Sequence, residues 1–231
     1  MHPDTLPADI VARMMTRRGH LHVFDAITAK RTALVVIDMQ NAFLTPGAPS
    51  EAAVARDIVP NVNRLTRAVR AAGGVVAWTQ GTFKATGPDS WPLFFDTMVN
   101  ATQSAAILDA LTEGRPGHAL WPALDAQADD ICVSKKRYSA FFPGSCALPE
   151  LLRARGIDTV VIAGTLTNVC CEASARDAMM ADFRVVMVSD ANAARSDAEH
   201  IGTLATVIQF FGDVRKTDEV VAMLAGKTLP L

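Results

Sequence analysis

The stretch Asp158-Thr-Val-Val-Ile-Ala-Gly-Thr-Leu-Thr-Asn-Val-Cys170-Cys171-Glu-Ala-Ser-Ala-Arg-Asp177 decides the reading of the fold. Its apolar run from Thr159 to Ala163 has the pattern of a strand buried on both faces, as parallel strands are, and Gly164 is expected to end it. Thr167 or Asn168 is placed to cap a following helix, in which Ala173, Ala175, Ala178 and Met179 are good helix formers. Cys170 then falls in the first helical turn. Unpaired N–H groups and the positive end of the helix dipole favour a thiolate there and can hold a developing oxyanion. Most buried cysteines are inert core residues, so a nucleophile needs partners from elsewhere in the chain.

Working outward, strands and helices alternate. Thr32-Ala-Leu-Val-Val-Ile-Asp38 is a run of β-formers ending in an acid. A helix is expected over Ala52–Ala71, with Val54, Ile58, Val62, Leu65 and Val69 at helical spacing and Gly73-Gly74 as its stop. Further strands are expected at Val75–Thr79, Asp130–Ser134, Arg184–Ser189 (closing at Asp190) and near Asp213-Val214. Further helices are expected at Leu148–Arg155, Ala198–Phe210 and Thr217–Ala225. Residues 1–30 read as an N-terminal arm with a short helix from Pro7 to Arg17, and 31–231 as one domain. The fold class is α/β: a single-domain, doubly wound, mostly parallel sheet with helices on both faces. From Gln80 to Asp125 the chain is irregular, rich in Gly, Pro, Trp and Phe, with one short helix near Ser104–Leu111. A loop of that length in a compact domain is a lid or a binding loop.

Composition narrows the partners. A chain of 231 residues, 50% of them hydrophobic, buries one full core, and a net charge of −2 gives no electrostatic reason for nucleic acid or an anionic membrane. No apolar stretch approaches the roughly 20 residues of a spanning helix. Pro3, Asp4, Pro7 and Asp9 interrupt what would be a secretory leader, so a cytoplasmic location is expected. The four cysteines lack the density of a disulfide scaffold, the five histidines lack zinc spacing, and no G-x-G-x-x-G or P-loop occurs. No metal or cofactor is expected.

In a doubly wound sheet the ligand sits beyond the carboxyl ends of the strands. The polar residues there are Asp38, Lys135, Lys136, Cys170 and Asp190. A carboxylate ending a buried strand is costly to ionise without a partner, which suits Asp38 to proton transfer beside a lysine; equally, it can cap the loop Gln40–Gly47. Lys135 and Lys136 read either as solvated surface or, pressed between a strand and the aromatic cluster Tyr138-Ser-Ala-Phe-Phe142, as one inward cation. Adjacent residues at a strand end face opposite ways, so one lysine at most reaches the site.

Three motifs stand in order: Asp-Met-Gln-Asn-x-Phe at Asp38–Phe43, Lys-x-Arg-Tyr-Ser-x-Phe at Lys135–Phe141, and Gly-x-x-Thr-Asn-Val-Cys at Gly164–Cys170. On these the chain resembles the isochorismatase-like cysteine hydrolases from about Thr32 to its C-terminal helix, and within them ureidoacrylate amidohydrolases and N-carbamoylsarcosine amidases. The resemblance implies a catalytic triad of Asp38, Lys135 and Cys170. It also implies a cis peptide at Thr165–Leu166 and an oxyanion hole from the backbone N–H groups of Leu166 and Cys170. It further implies a cofactor-free hydrolase of a C–N bond in a small amide, ureido or carbamoyl compound, working through a thioester. Trp78-Thr-Gln-Gly-Thr-Phe83 holds no histidine where the nicotinamidase relatives carry a metal site.

Phe43, Gln80, Trp91, Tyr138 and Asn168 are candidate substrate-binding residues, and Lys84 or Arg137 candidates for a substrate carboxylate. Trp91, Phe94 and Phe95 either wall the pocket or pack the lid. Two other functions fit the fold: an isochorismatase-type vinyl-ether hydrolase, which needs no thiol, and a non-catalytic binding member. A homo-oligomer, dimer or tetramer, is expected from the resemblance and from an arm with few evident partners in its own chain.

Overall fold

All six residues of strand β1 (Thr32–Ile37) are buried, and they alternate between two apolar cores: Leu34 and Val36 enter one, Ala33, Val35 and Ile37 the other. A strand apolar on both faces is satisfied only inside a sheet that is covered on both sides. The computed structural model, which describes residues 1–231, places it there.

Helix α1 (Ala8–Arg18) precedes β1. Then come α2 (Asn41–Leu44), α3 (Val59–Ala71) and β2 (Val75–Gly81). A π-helical turn (Phe94–Met98) and α4 (Ala101–Ala110) occupy the long crossover to β3 (Ile131–Lys135). After α5 (Leu148–Ala154) and β4 (Thr159–Thr165), a second π-helical turn (Thr167–Cys171) runs directly into α6 (Glu172–Met180). The chain closes with β5 (Arg184–Ala193), α7 (Asp197–Phe210), β6 (Asp213–Arg215) and α8 (Thr217–Leu224).

The strand order is β3-β2-β1-β4-β5-β6, and every pair is parallel. Val62, Leu65 and Val69 of α3 and Val220 and Met223 of α8 cover one face; α5, α6 and α7 cover the other through Leu152, Ala175, Ala178, Leu204 and Val207. Chain order reverses between β1 and β4, which opens a crevice beyond their carboxyl ends. Asp38 and Cys170 follow these two strands.

Four sequence expectations shift. The helix expected over Ala52–Ala71 starts only at Val59, after a 3-10 turn at Ala53–Arg56, because Pro60 fits a first helical turn but not a helix interior. β4 does not stop at Gly164 but runs through it to Thr165. β5 continues beyond Asp190 to Ala193, its register slipping where Asn192 pairs with Gly164. The Asn192 amide fills that irregularity by donating to Ile162 O (2.9 Å) and Val188 O (2.7 Å).

The fourth shift concerns residues 1–30, which are not a free arm. Ile10 and Met14 are buried, Arg18 donates to Ile208 O at 3.2 Å, and His2 stacks on His200 at 4.7 Å. The arm finds its partners on α7 of its own chain and so gives no argument for subunit association.

Gly164 is the tightest point between β1 and β4. Its φ is 120°, and an added Cβ would lie 2.1 Å from the Ile37 carbonyl oxygen. Gly164→Ala must force the two strands apart one residue before Asp38, and a loss of about 3 kcal/mol is expected in chemical denaturation. An unchanged midpoint would contradict this packing.

Candidate active site

Asp38 leaves β1 with a φ of 51°, the left-handed region that Asp tolerates better than most residues. Its N–H donates to Thr79 O at 3.1 Å, its Oδ1 accepts from the Gly81 N–H at 3.0 Å, and its Oδ2 meets Lys135 Nζ at 2.8 Å. Lys135 ends β3, in register with Gly81 of β2, and its side chain crosses that intervening strand to reach Asp38. Nζ also donates to Arg137 O at 3.1 Å. Lys136 faces the other way and pairs with Asp89 at 2.7 Å, as strand alternation requires.

Cys170 lies in the π-helical turn before α6 and lines the same cavity as Asp38 and Lys135, whose charges both act on its thiol. The ends of β1, β3 and β4 therefore bring carboxylate, ammonium and thiol together. All three side chains are buried.

Burial dominates the electrostatics. It pushes the Cys170 thiol well above its ordinary range; the Lys135 charge works against this and the Asp38 charge adds to it. Burial therefore opposes the thiolate that a helix start favours. The turn's leading amides are engaged as well, since the N–H groups of Val169 and Cys171 both donate to Leu166 O at 3.1 Å. For Lys135, burial alone would lower the pKa, but the Asp38 charge and hydrogen bond work against it, and the ammonium is held above its usual range. The site thus sets an ion pair beside a thiol whose proton burial helps to retain.

A cavity of about 360 Å³ opens onto the triad, and Asp38, Lys135, Cys170 and Leu166 line it. The Thr165–Leu166 peptide is cis, and the Leu166 N–H donates to no protein acceptor. Of the five candidate substrate contacts, Phe43 and Tyr138 line the cavity. Gln80 does not, because its amide is turned to His118 O (2.8 Å) and its Oε1 accepts from the Cys132 thiol (3.2 Å). Trp91 packs behind the wall, against Phe94 (5.1 Å) and edge-on to Tyr138 (4.8 Å). Asn168 does not reach the cavity and caps nothing; its Oδ1 is buried without a partner. Phe94 lines the cavity, whereas Phe95 packs edge-on against Phe83.

The cations are also redistributed. Lys84 pairs with Asp89 at 3.4 Å, and Arg137 lies over the Trp91 ring at 5.2 Å. Arg195, just past β5, is the cation that lines the cavity with no carboxylate partner. Asp190 serves elsewhere: its Oδ1 accepts from the N–H and hydroxyl of Thr217, both at 2.7 Å, and fastens the start of α8. No group of three or more His, Cys, Asp or Glu side chains is placed to hold a metal ion.

The family model for the isochorismatase domain matches residues 32–219, the stretch that carries all three motifs. The chain belongs to the isochorismatase family. Over 222 residues this isochorismatase-like hydrolase is 33% identical to the ureidoacrylate amidohydrolase RutB of Rhizobium rhizogenes, covering 87% of each chain. A cysteine hydrolase from Pseudomonas syringae pv. phaseolicola superposes with a TM-score of 0.79 at 32% identity, over 89% of this chain and 97% of that one. The N-carbamoylsarcosine amidase of Thermoplasma acidophilum gives a TM-score of 0.66 at 26% identity, over 81% and 97%. No helix is long and apolar enough to cross a membrane.

The raised thiol has a consequence for stability. Folded Cys170 keeps its proton above the ordinary thiol value of 9.0, whereas the unfolded chain loses it there. The unfolded state then binds fewer protons, so native stability falls as pH rises past about 9, by up to about 1.4 kcal/mol per unit for this thiol. Cys170→Ser is expected to flatten that alkaline slope in urea denaturation between about pH 9 and 10. Identical slopes for the two proteins would contradict a buried neutral thiol.

Proposed function

We propose that this protein hydrolyses a C–N bond beside the carbonyl of a small amide, ureido or carbamoyl compound, with Cys170 as nucleophile, in the cytoplasm where thiols stay reduced. The observation that carries the reading is the sealed Lys135–Asp38 pair, 2.8 Å between charged atoms, lining one cavity with Cys170. Two of the similar proteins are named as an amidohydrolase and an amidase, which supports the same class of bond.

Asp38 takes the thiol proton as sulfur attacks the carbonyl carbon. The carbonyl π electrons move to oxygen, which the N–H groups of Leu166 and Cys170 hold. Collapse of this adduct expels the nitrogen, which leaves as ammonia or an amine with the proton Asp38 had taken. Water then attacks the thioester, giving a proton to Asp38; the C–S bond breaks and the thiol is re-formed. Throughout, Lys135 orients the Asp38 carboxylate and offsets its charge. A vinyl-ether hydrolase would leave the thiol that shares a cavity with this ion pair without a task, which favours the amide reading.

Ammonia or amine release from a panel of amides and ureides tests this, together with mass spectrometry of the quenched enzyme. Wild type is expected to show an acyl or carbamoyl mass on Cys170, and Cys170→Ala to lose turnover by about 10³-fold or more. Near-native turnover in Cys170→Ala would overturn the proposal.

A further inference from the structure

The cavity combines the charged groups of the site with a mostly apolar lining. Charged groups converge at Cys170, yet ten of the seventeen lining residues are hydrophobic. Much of the apolar part comes from one stripe of the lid. Gln103, Ile107 and Leu111 follow one another at steps of four along α4 and its end, so they share a face; extended Val99 precedes them, and all four line the cavity. Phe83, beyond the end of β2, continues the wall. The single polar member of the stripe is tied down, because the Gln103 amide donates to Pro49 O at 2.7 Å.

Such a wall discriminates by desolvation. A small polar substrate would set its own polar groups against hydrocarbon and leave them unpaired. An apolar substituent instead buries area there, at about fourfold in affinity for each methylene removed from water. The wall is also built with fixed rotamers rather than adaptable ones, since Phe83, Ile107 and Leu111 are themselves largely buried against neighbours.

Resting on the hydrolase reading above, we infer that the substrate carries a bulky apolar group, phenyl-sized or branched aliphatic, which seats against Phe83, Val99, Ile107 and Leu111 while the scissile carbonyl meets Cys170. The wall selects such compounds over short polar amides and ureides.

The test grows only the apolar part in two series: acetamide against phenylacetamide, and methylurea against benzylurea. In any series that is turned over, the bulky member is expected to exceed the small one by about tenfold or more in kcat/KM. Ile107→Ser should cut that ratio by about fivefold or more, and Ile107→Leu should keep it. Equal or lower kcat/KM on the bulky member, or a ratio that Ile107→Ser does not move, overturns the inference. Calorimetric binding to Cys170→Ala reads the wall without turnover. Phenylacetamide and benzylurea should bind about tenfold more tightly than their short analogues, and equal affinities overturn the inference. Preferential binding of the bulky members with no turnover by wild type would sink the hydrolase reading and leave the apolar selectivity standing.

Discussion

The ion pair between Lys135 and Asp38 is the constraint to which the rest of the site conforms. Both side chains are 1% exposed, so neither charge has water to fall back on. A pair of this kind adds little net stability, but removing either member strands a buried charge at a cost of about 3–5 kcal/mol. The fold therefore has to hold the two together, and it does so through backbone. Gly81, between them in the sheet, directs its N–H at Asp38 Oδ1, and Gln40 Oε1 accepts from the same N–H at 2.8 Å. The Gln40 amide in turn donates to Gly81 O (3.2 Å) and His118 O (2.8 Å), which ties the returning leg of the lid to the end of β2. Trp121 N–H adds a bond to Met39 O at 2.9 Å. One charged contact is thus framed by β1, β2, β3 and the lid.

The same burial bears on how the sulfur is activated in the proposed mechanism. A cysteine at an exposed helix start has the dipole to lower its pKa; Cys170 lies under the lid, where desolvation is the larger effect. In the proposed mechanism activation falls to the Asp38 base, with the thiolate formed only as it attacks. Dry surroundings that raise the thiol would also strengthen hydrogen bonds to the oxyanion of the proposed mechanism. The apolar face of α4 adds to this dry environment, and the inferred selectivity rests on it.

The parts legible in the sequence are those fixed by strand ends. β1, β3 and β4 are short apolar runs, and the rule that ligands sit at their carboxyl ends singles out Asp38, the lysine pair and Cys170. Alternation admits one lysine, and the spacing of Lys135 from Arg137-Tyr138 in the family motif names it. Arg195 was hidden because β5 continues three residues beyond Asp190 through the Asn192 irregularity, which no periodicity announces. Gln80 and Asn168 neighbour the triad along the chain but not around the cavity, since one faces His118 and the other is buried in the turn. The apolar wall was out of reach for another reason. The stripe of α4 is only evident once the lid is folded over the triad, and within a loop of that length its spacing reads as ordinary packing.

The account stands on Cys170 being a neutral thiol at rest, with Asp38 rather than Lys135 as the group that activates it. Ultraviolet difference absorbance of the thiolate, wild type minus Cys170→Ser, measures this in the free enzyme. The expected trace shows no thiolate from Cys170 through about pH 8. A thiolate signal that titrates in at or below neutral pH would show a standing Cys170–Lys135 ion pair, and Asp38 would lose its part as base.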